Sequence, residues 1–388
     1  MSDGDATVER VANLAMSDDM APLDLPADFT FGVATSAFQI EGATAVDGRG
    51  PSIWDEFCRA PGAILDASDG SVACDSYRRW AQDLDLIADL GFAAYRFSVA
   101  WPRIVPDDSG RVNSLGLDHY ERVVDGLLER GIAPFVTLYH WDLPLWLHAR
   151  GGWTARDTSY AFAAYAEAVA GRLGDRVASY ATLNEPWCSA FLGYGQGEHA
   201  PGVRDSGACQ AAIHHLLLAH GLAVQRLRSA TTSPLGIVLN FTPAYPLDAN
   251  EPSDREAARR HRLSNDEVFL GPLFKGAYPR ELRDLPGSAA SHASPGDLSI
   301  IGEPLDFLGV NYYTRTVVRA SPGAPWPSIE HVPPTGARTA MGWEVYPAGL
   351  RDLLLELDRA AGIPLYVTEN GAAFDDHAGG AVLGDIKR

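Results

Sequence analysis

Short apolar runs alternate along this chain with longer stretches in which apolar side chains recur at helical spacing. The runs are Phe31–Ala37, Ala93–Val99, Ala133–Tyr139, Ala178–Leu183, Leu235–Phe241, Asp306–Asn311 and Pro364–Thr368. Most are nearly unbroken in apolar residues, the pattern of parallel strands buried on both faces. Helical periodicity covers Asp75–Leu90, Leu117–Arg130, Ser159–Leu173, Cys209–Ser229 and Ala348–Ala361. Gly91, Gly131 and Gly174 follow the first three, where a left-handed residue ends a helix. Strands alternating with helices predict βα units and a parallel sheet. Pro322–Pro334 is proline-rich and reads as a surface loop.

Seven strands fit a doubly wound sheet or an incomplete (β/α)8 TIM barrel, and the polar residues decide between them. His140, Asn184, Asn311 and Glu369 each stand where a strand run ends. Barrel enzymes gather their catalytic groups from the C-terminal ends of several strands. A doubly wound nucleotide binder would carry a glycine-rich loop after its first strand. Gly193-Tyr194-Gly195-Gln196-Gly197 has neither that place nor that spacing. The expected class is therefore α/β, a TIM barrel.

Charge and composition narrow the function. The 388 residues hold 31 basic and 50 acidic side chains, a net charge of −19. That balance excludes a nucleic-acid polyanion or an anionic membrane as partner. No run reaches the length of a membrane span. Residues 1–25 are acidic and lack the basic and apolar regions of a signal peptide, so a mobile arm is expected. The glycosidase-like body then runs over 26–388. Cys58, Cys74, Cys188 and Cys209 are too few and scattered for a disulfide framework and read as reduced thiols of a cytoplasmic protein. Cys188 reads as a small pocket-wall residue. His214-His215 has no carboxylate at metal-ligand spacing and reads as structural; no metal and no cofactor are expected.

Two glutamates stand out. Glu185 lies in Thr182-Leu183-Asn184-Glu185-Pro186, and Glu369 in Val367-Thr368-Glu369-Asn370-Gly371. A barrel points both into one pocket. Paired carboxylates there suit glycoside hydrolysis, one protonating the leaving oxygen while the other attacks or stabilises the anomeric carbon.

Further segments run in the same order. They are Phe31-Gly32-Val33-Ala34-Thr35-Ser36-Ala37 with Gln39-Ile40-Glu41-Gly42, Ser52-Ile53-Trp54-Asp55, Tyr95-Arg96-Phe97-Ser98, Trp101-Pro102-Arg103-Ile104, Leu138-Tyr139-His140-Trp141-Asp142-Leu143-Pro144 and Asn311-Tyr312-Tyr313-Thr314. With these the sequence resembles the glycoside hydrolase family 1 β-glucosidases over about 340 residues. The resemblance implies a retaining mechanism, with Glu369 as nucleophile and Glu185 as general acid and then base. That route needs carboxyl groups ~5–5.5 Å apart. Arg96 and Tyr313 are implied to support the nucleophile. Gln39, His140, Asn184 and Asn311, with Tyr313, belong to the implied sugar site, Asn184 facing the 2-hydroxyl. Trp141 and Trp343 are its implied walls. Implied substrates are β-D-glucosides or short oligosaccharides such as those of cellulose degradation, with β-galactosides or β-fucosides as alternatives.

Several of these residues also admit plain structural readings. His140 could be a satisfied core histidine, Arg96 a partner for a structural carboxylate, and Trp343 ordinary packing. Relatives in the family continue past the nucleophile strand into an eighth βα unit, while this sequence ends at Gly384-Asp385-Ile386-Lys387-Arg388. The expectation is thus a barrel lacking its eighth βα unit, either a fragment or frameshifted product or one part of a barrel completed by a homo-oligomer or a complementing chain. A catalytically impaired remnant that binds sugar or a partner is the alternative.

Overall fold

The computed structural model describes residues 25–374. Most of the expected acidic arm and the end of the chain lie outside them. The apolar runs form β1 (Gly32–Ala34), β2 (Ala94–Ser98), β3 (Ala133–Tyr139), β4 (Ser179–Asn184), β5 (Leu235–Phe241), β7 (Phe307–Tyr312) and β10 (Leu365–Glu369). Three further strands, β6 (Ala244–Pro246), β8 (Thr316–Ala320) and β9 (Ile329–Val332), make a separate small sheet. The seven pair in the order β1-β2-β3-β4-β5-β7-β10, every pair parallel. Chain order without reversal is the order of a barrel, because a doubly wound sheet turns back at a switch point. The fold is α/β and TIM-barrel-like.

Burial follows position in that order. Every residue of β2, β4 and β7 is buried. The end strands β1 and β10 have no fully buried residue, and Val367 is 46% exposed. Gly309 on β7 marks a close inner approach: a Cβ there would lie 2.6 Å from a Val238 methyl and 3.1 Å from Thr368 Oγ1.

The longer helices are α1 (Ser76–Asp89), α2 (Ser114–Glu129), α3 (Asp157–Leu173), α4 (Ser206–Ala230), α5 (Pro252–Arg262), α6 (Val268–Lys275) and α7 (Pro347–Ala361). Side-chain caps satisfy free N–H groups at three of them, one being Glu251, which accepts from Ser253 N at 3.2 Å at the start of α5. Asn113 accepts from Leu115 N at 3.3 Å and Asp205 from Ala208 N at 2.7 Å. Helices α3 and α4 pack together, and Ser159 Oγ donates to His215 O across them. His214 is also structural in its contacts, bridging Tyr278 OH (3.0 Å) and Asp297 (2.9 Å).

Two expectations change. The segment Pro322–Pro334 is not all loop, since it contains β9, antiparallel to β8 and tied to it by Arg319–Glu330. Its prolines lie outside β9, so they remove no hydrogen bond from the ladder. Helices α5 and α6 did not show in the pattern, because α5 is mostly charged and α6 contains Pro272.

A buried charge cluster fixes the chain after β1 to the chain after β2. Arg103, fully buried, donates to Glu41 Oε2 from Nη2 (2.9 Å) and Nε (3.2 Å), while Tyr120 OH donates to Glu41 Oε1. The guanidinium also lies 4.0 Å over the Tyr77 ring. Burial pushes the Glu41 carboxyl up, but the Arg103 charge and the hydrogen bonds outweigh it and hold it low.

Candidate active site

The strand ends carry the predicted polar residues to one place. Register shifts interrupt β4 between Ala181 and Asn184 and β10 between Val367 and Glu369, just where each strand presents its glutamate. Such irregularities re-aim side chains at a sheet's rim. Glu185 follows β4 with a left-handed backbone (φ 48°), and its N–H donates to Val238 O at 2.9 Å. Trp141 follows the end of β3 with φ 78°. Both pay strain of order 1–3 kcal/mol, a burden that collects at functional sites.

One hydrogen-bond network joins the two carboxyl groups. Arg96 on β2 donates from Nη1 to Glu369 Oε1 (2.7 Å), from Nη2 to Asn184 Oδ1 (2.6 Å) and from Nε to Thr137 Oγ1 (2.9 Å). Tyr313 OH donates to Glu369 Oε2 at 2.6 Å. On the other side, Asn311 Nδ2 donates to Glu185 Oε1 (2.8 Å) and to Asn184 Oδ1 (3.2 Å). Cys188 Sγ–H donates to Glu185 Oε2 at 3.3 Å. Thr368 Oγ1 donates to Asn311 Oδ1 at 2.7 Å, which fixes the sense of that amide.

The same bonds orient Asn184 and His140. Two donors on Asn184 Oδ1 leave its Nδ2 facing His140 Nε2 at 3.2 Å. The network therefore assigns Nε2 as acceptor and puts the ring proton on Nδ1, which is buried without a partner among the described residues. Burial lowers the His140 pKa to about 3, so the ring is neutral in the working range. Trp141 Nε1 donates to the backbone oxygen of Asn184 at 3.0 Å, locking the ring onto the end of β4.

The carboxyl groups are driven apart electrostatically. Glu185 is 6% exposed; burial first, and the negative charge of Glu369 second, push its pKa up to about 7. Burial also acts on Glu369, but the Arg96 guanidinium and the donated hydrogen bonds outweigh it and hold that carboxyl below its ordinary value. Near neutral pH the arrangement offers one proton donor and one anion.

Aromatic rings stand around these groups. Trp141 packs 5.1 Å from the His199 ring, and His199 lies 5.4 Å from Trp54. Trp343 is 39% exposed with its ring 5.5 Å from that of Tyr313. Gln39 sits on the short helix Ala37–Ile40 after β1 and is exposed. The structure thus bonds Arg96, His140, Trp141, Asn184, Glu185, Asn311, Tyr313 and Glu369 into one cluster, leaves Trp343 at its edge, and gives Gln39 no contact within that network.

The model of Glycosyl hydrolase family 1 matches residues 22–388. The chain belongs to glycosyl hydrolase family 1. A β-glucosidase of an Agrobacterium species is 48% identical over 355 residues, which is 90% of this chain and 77% of that protein. Among solved structures, virulence factor SghA, from Agrobacterium tumefaciens, in complex with its substrate analog salicin has a TM-score of 0.89 at 45% identity, over 98% of this chain and 82% of that one. The family 1 β-glucosidase of Thermotoga maritima gives a TM-score of 0.87 at 42% identity, over 92% of this chain and 80% of that one.

Two residues of this cluster, Thr137 and Thr368, escaped the sequence reading, and a third, Cys188, reads there only as a pocket wall. Thr137 and Thr368 anchor Arg96 and Asn311, and Cys188 bonds the Glu185 carboxyl. Thr137 did leave a signal, a polar residue inside the apolar run of β3, and it is 1% exposed. Among the described residues no cluster of three or more His, Cys, Asp or Glu could hold a metal, and no helix is long and apolar enough to cross a membrane.

Proposed function

We propose that this chain is a retaining β-glucosidase that removes terminal β-D-glucosyl residues from β-glucosides or short β-linked oligosaccharides. The observation that carries this reading is the pairing of a buried carboxyl pushed up to about 7 with one held anionic by Arg96 and Tyr313. In the first step Glu369 attacks the anomeric carbon while Glu185 gives its proton to the glycosidic oxygen. The alcohol leaves and a glycosyl ester forms on Glu369. Esterification removes the charge that raised the Glu185 pKa, so Glu185 is now suited to be the base. It takes a proton from water, whose oxygen attacks the anomeric carbon and releases Glu369. The sugar keeps its configuration after two inversions.

His140, Asn184, Gln39 and the Trp141 and Trp343 rings form the sugar site in this reading. Asn311 spends both amide hydrogens on Glu185 and Asn184, so its part is to position the acid. The salicin complex of SghA supports an aryl β-glucoside as the first substrate to try. The four free thiols support a reducing, cytoplasmic setting.

A second reading, sugar binding with weak turnover, rests on one observation: the nucleophile stands on β10, an end strand of the seven whose residues are not fully buried. Turnover of an aryl β-D-glucoside by the purified chain, with Glu369→Gln as control, decides between them. Hydrolysis that vanishes in the variant is expected. A folded chain with no turnover would leave only the binding reading.

A further inference from the structure

We infer that Cys188 is a positioning residue for the general acid: its thiol donates to the oxygen of Glu185 that Asn311 leaves free, and so sets the orientation and acidity of that carboxyl. The inference rests on the hydrolase reading for its catalytic meaning, but not for its geometry.

Chain geometry brings the thiol there. Glu185 takes a left-handed turn, and the Cys188 N–H donates back to the Glu185 carbonyl at 3.0 Å. Cys188 then opens the wide helical turn Cys188–Gln196. Its side chain is thereby folded under the carboxyl, with Sγ 3.3 Å from Oε2 and the residue buried. Oε1 is taken by Asn311 from β7. The two donors approach from different elements and hold the two oxygens separately, so the carboxyl cannot rotate without breaking one of them.

The thiol can only act as a donor if it keeps its proton. Burial, and then the neighbouring Glu185 charge, push the Cys188 thiol well above its ordinary range, so S–H persists through the working pH. The other groups facing Glu185 are the Glu369 carboxylate on β10, the Arg96 guanidinium on β2 and the Tyr313 phenol after β7. Glu369 favours the protonated acid; Arg96, Asn311 and Cys188 favour its anion. The S–H donor helps most in the second chemical step, when Glu185 must be a carboxylate that accepts a proton from water. A thiol is a weak donor. Its loss should raise the Glu185 midpoint by roughly half a pH unit, less than a full charge-assisted bond would give.

The test is carbon-13 NMR titration of the side-chain carboxyls in glutamate-labelled protein. Glu185 is assigned by its disappearance in Glu185→Gln. Cys188→Ala removes the donor, while Cys188→Ser keeps one of similar size. The expected result is a higher midpoint in Cys188→Ala and a midpoint at or below that of the parent in Cys188→Ser. An unchanged midpoint in the alanine variant, or a serine variant that follows alanine, would overturn the inference. In an active preparation the basic limb of the kcat/KM profile should move up by the same amount in Cys188→Ala and return in Cys188→Ser. A merely structural role would lower the plateau and leave the limb in place. An intact midpoint shift without turnover would contradict the hydrolase reading and leave this one standing.

Discussion

Replacing Glu185 by glutamine should stabilise the folded chain, and only as the pH rises. The acid is buried, bonded by Asn311 and Cys188, and its pKa sits at about 7 against an ordinary 4.5. Between those values the unfolded chain has already released this proton while the folded chain still holds it. Stability therefore falls with rising pH across that window, and the whole cost is present above it. Taking 1.36 kcal/mol for each pH unit between 4.5 and about 7, the cost is on the order of 3 kcal/mol. Glutamine removes it, because its oxygen can still accept from Asn311 and it never ionises. Glu369 has the opposite sign of pH dependence, but it is present in both chains and largely cancels. Urea unfolding of parent and variant should give equal stabilities near about pH 4, with the variant ahead by on the order of 3 kcal/mol near about pH 8. A difference that stays flat with pH, or that favours the parent at high pH, would refute the claim that burial and Glu369 hold Glu185 protonated.

Other consequences follow from the same geometry. Arg96→Met removes the cation that keeps Glu369 anionic, so the acidic limb of the pH–rate profile should rise by roughly one to three pH units and kcat/KM should fall at every pH. Tyr313→Phe deletes the 2.6 Å bond to Glu369 Oε2, and kcat should drop about 10- to 100-fold, read with an aryl glucoside; unchanged kcat would remove the phenol from the account. Away from the chemistry, Glu41→Gln leaves the Arg103 charge uncompensated in the core, and should lower unfolding stability by about 3–5 kcal/mol. Adding Arg103→Met to that variant should restore part of the loss, which a thermal melt of the pair would show.

The inner strands were legible because burial on both faces writes a nearly continuous apolar signature, and candidate polar residues stood out where those runs end. His140, Asn184, Glu185 and Glu369 stand out as candidates in that way, and the structure joins them in one hydrogen-bond network. The family resemblance supplied Arg96, Tyr313, Gln39 and Trp343, which no local pattern distinguishes from structural residues. What stayed hidden depends on contacts between distant segments. Thr368 holds Asn311 across 57 positions, and Glu41 meets Arg103 across 62. Neither pairing has a local periodicity to betray it. The small sheet was missed for a different reason, since β9 is short and bordered by prolines that read as a loop.

Retention by double displacement requires a covalent glycosyl ester on Glu369. The most direct measurement is to treat the purified chain with an activated 2-deoxy-2-fluoro-β-D-glucoside and map the modified peptide by mass spectrometry. The fluorine slows both steps, and the good leaving group lets the first outrun the second, so the intermediate accumulates. One sugar per chain is expected, attached to Glu369 and absent in Glu369→Gln. A sugar found on another residue, or hydrolysis of the ordinary glucoside with inverted configuration and no trapped ester, would contradict it.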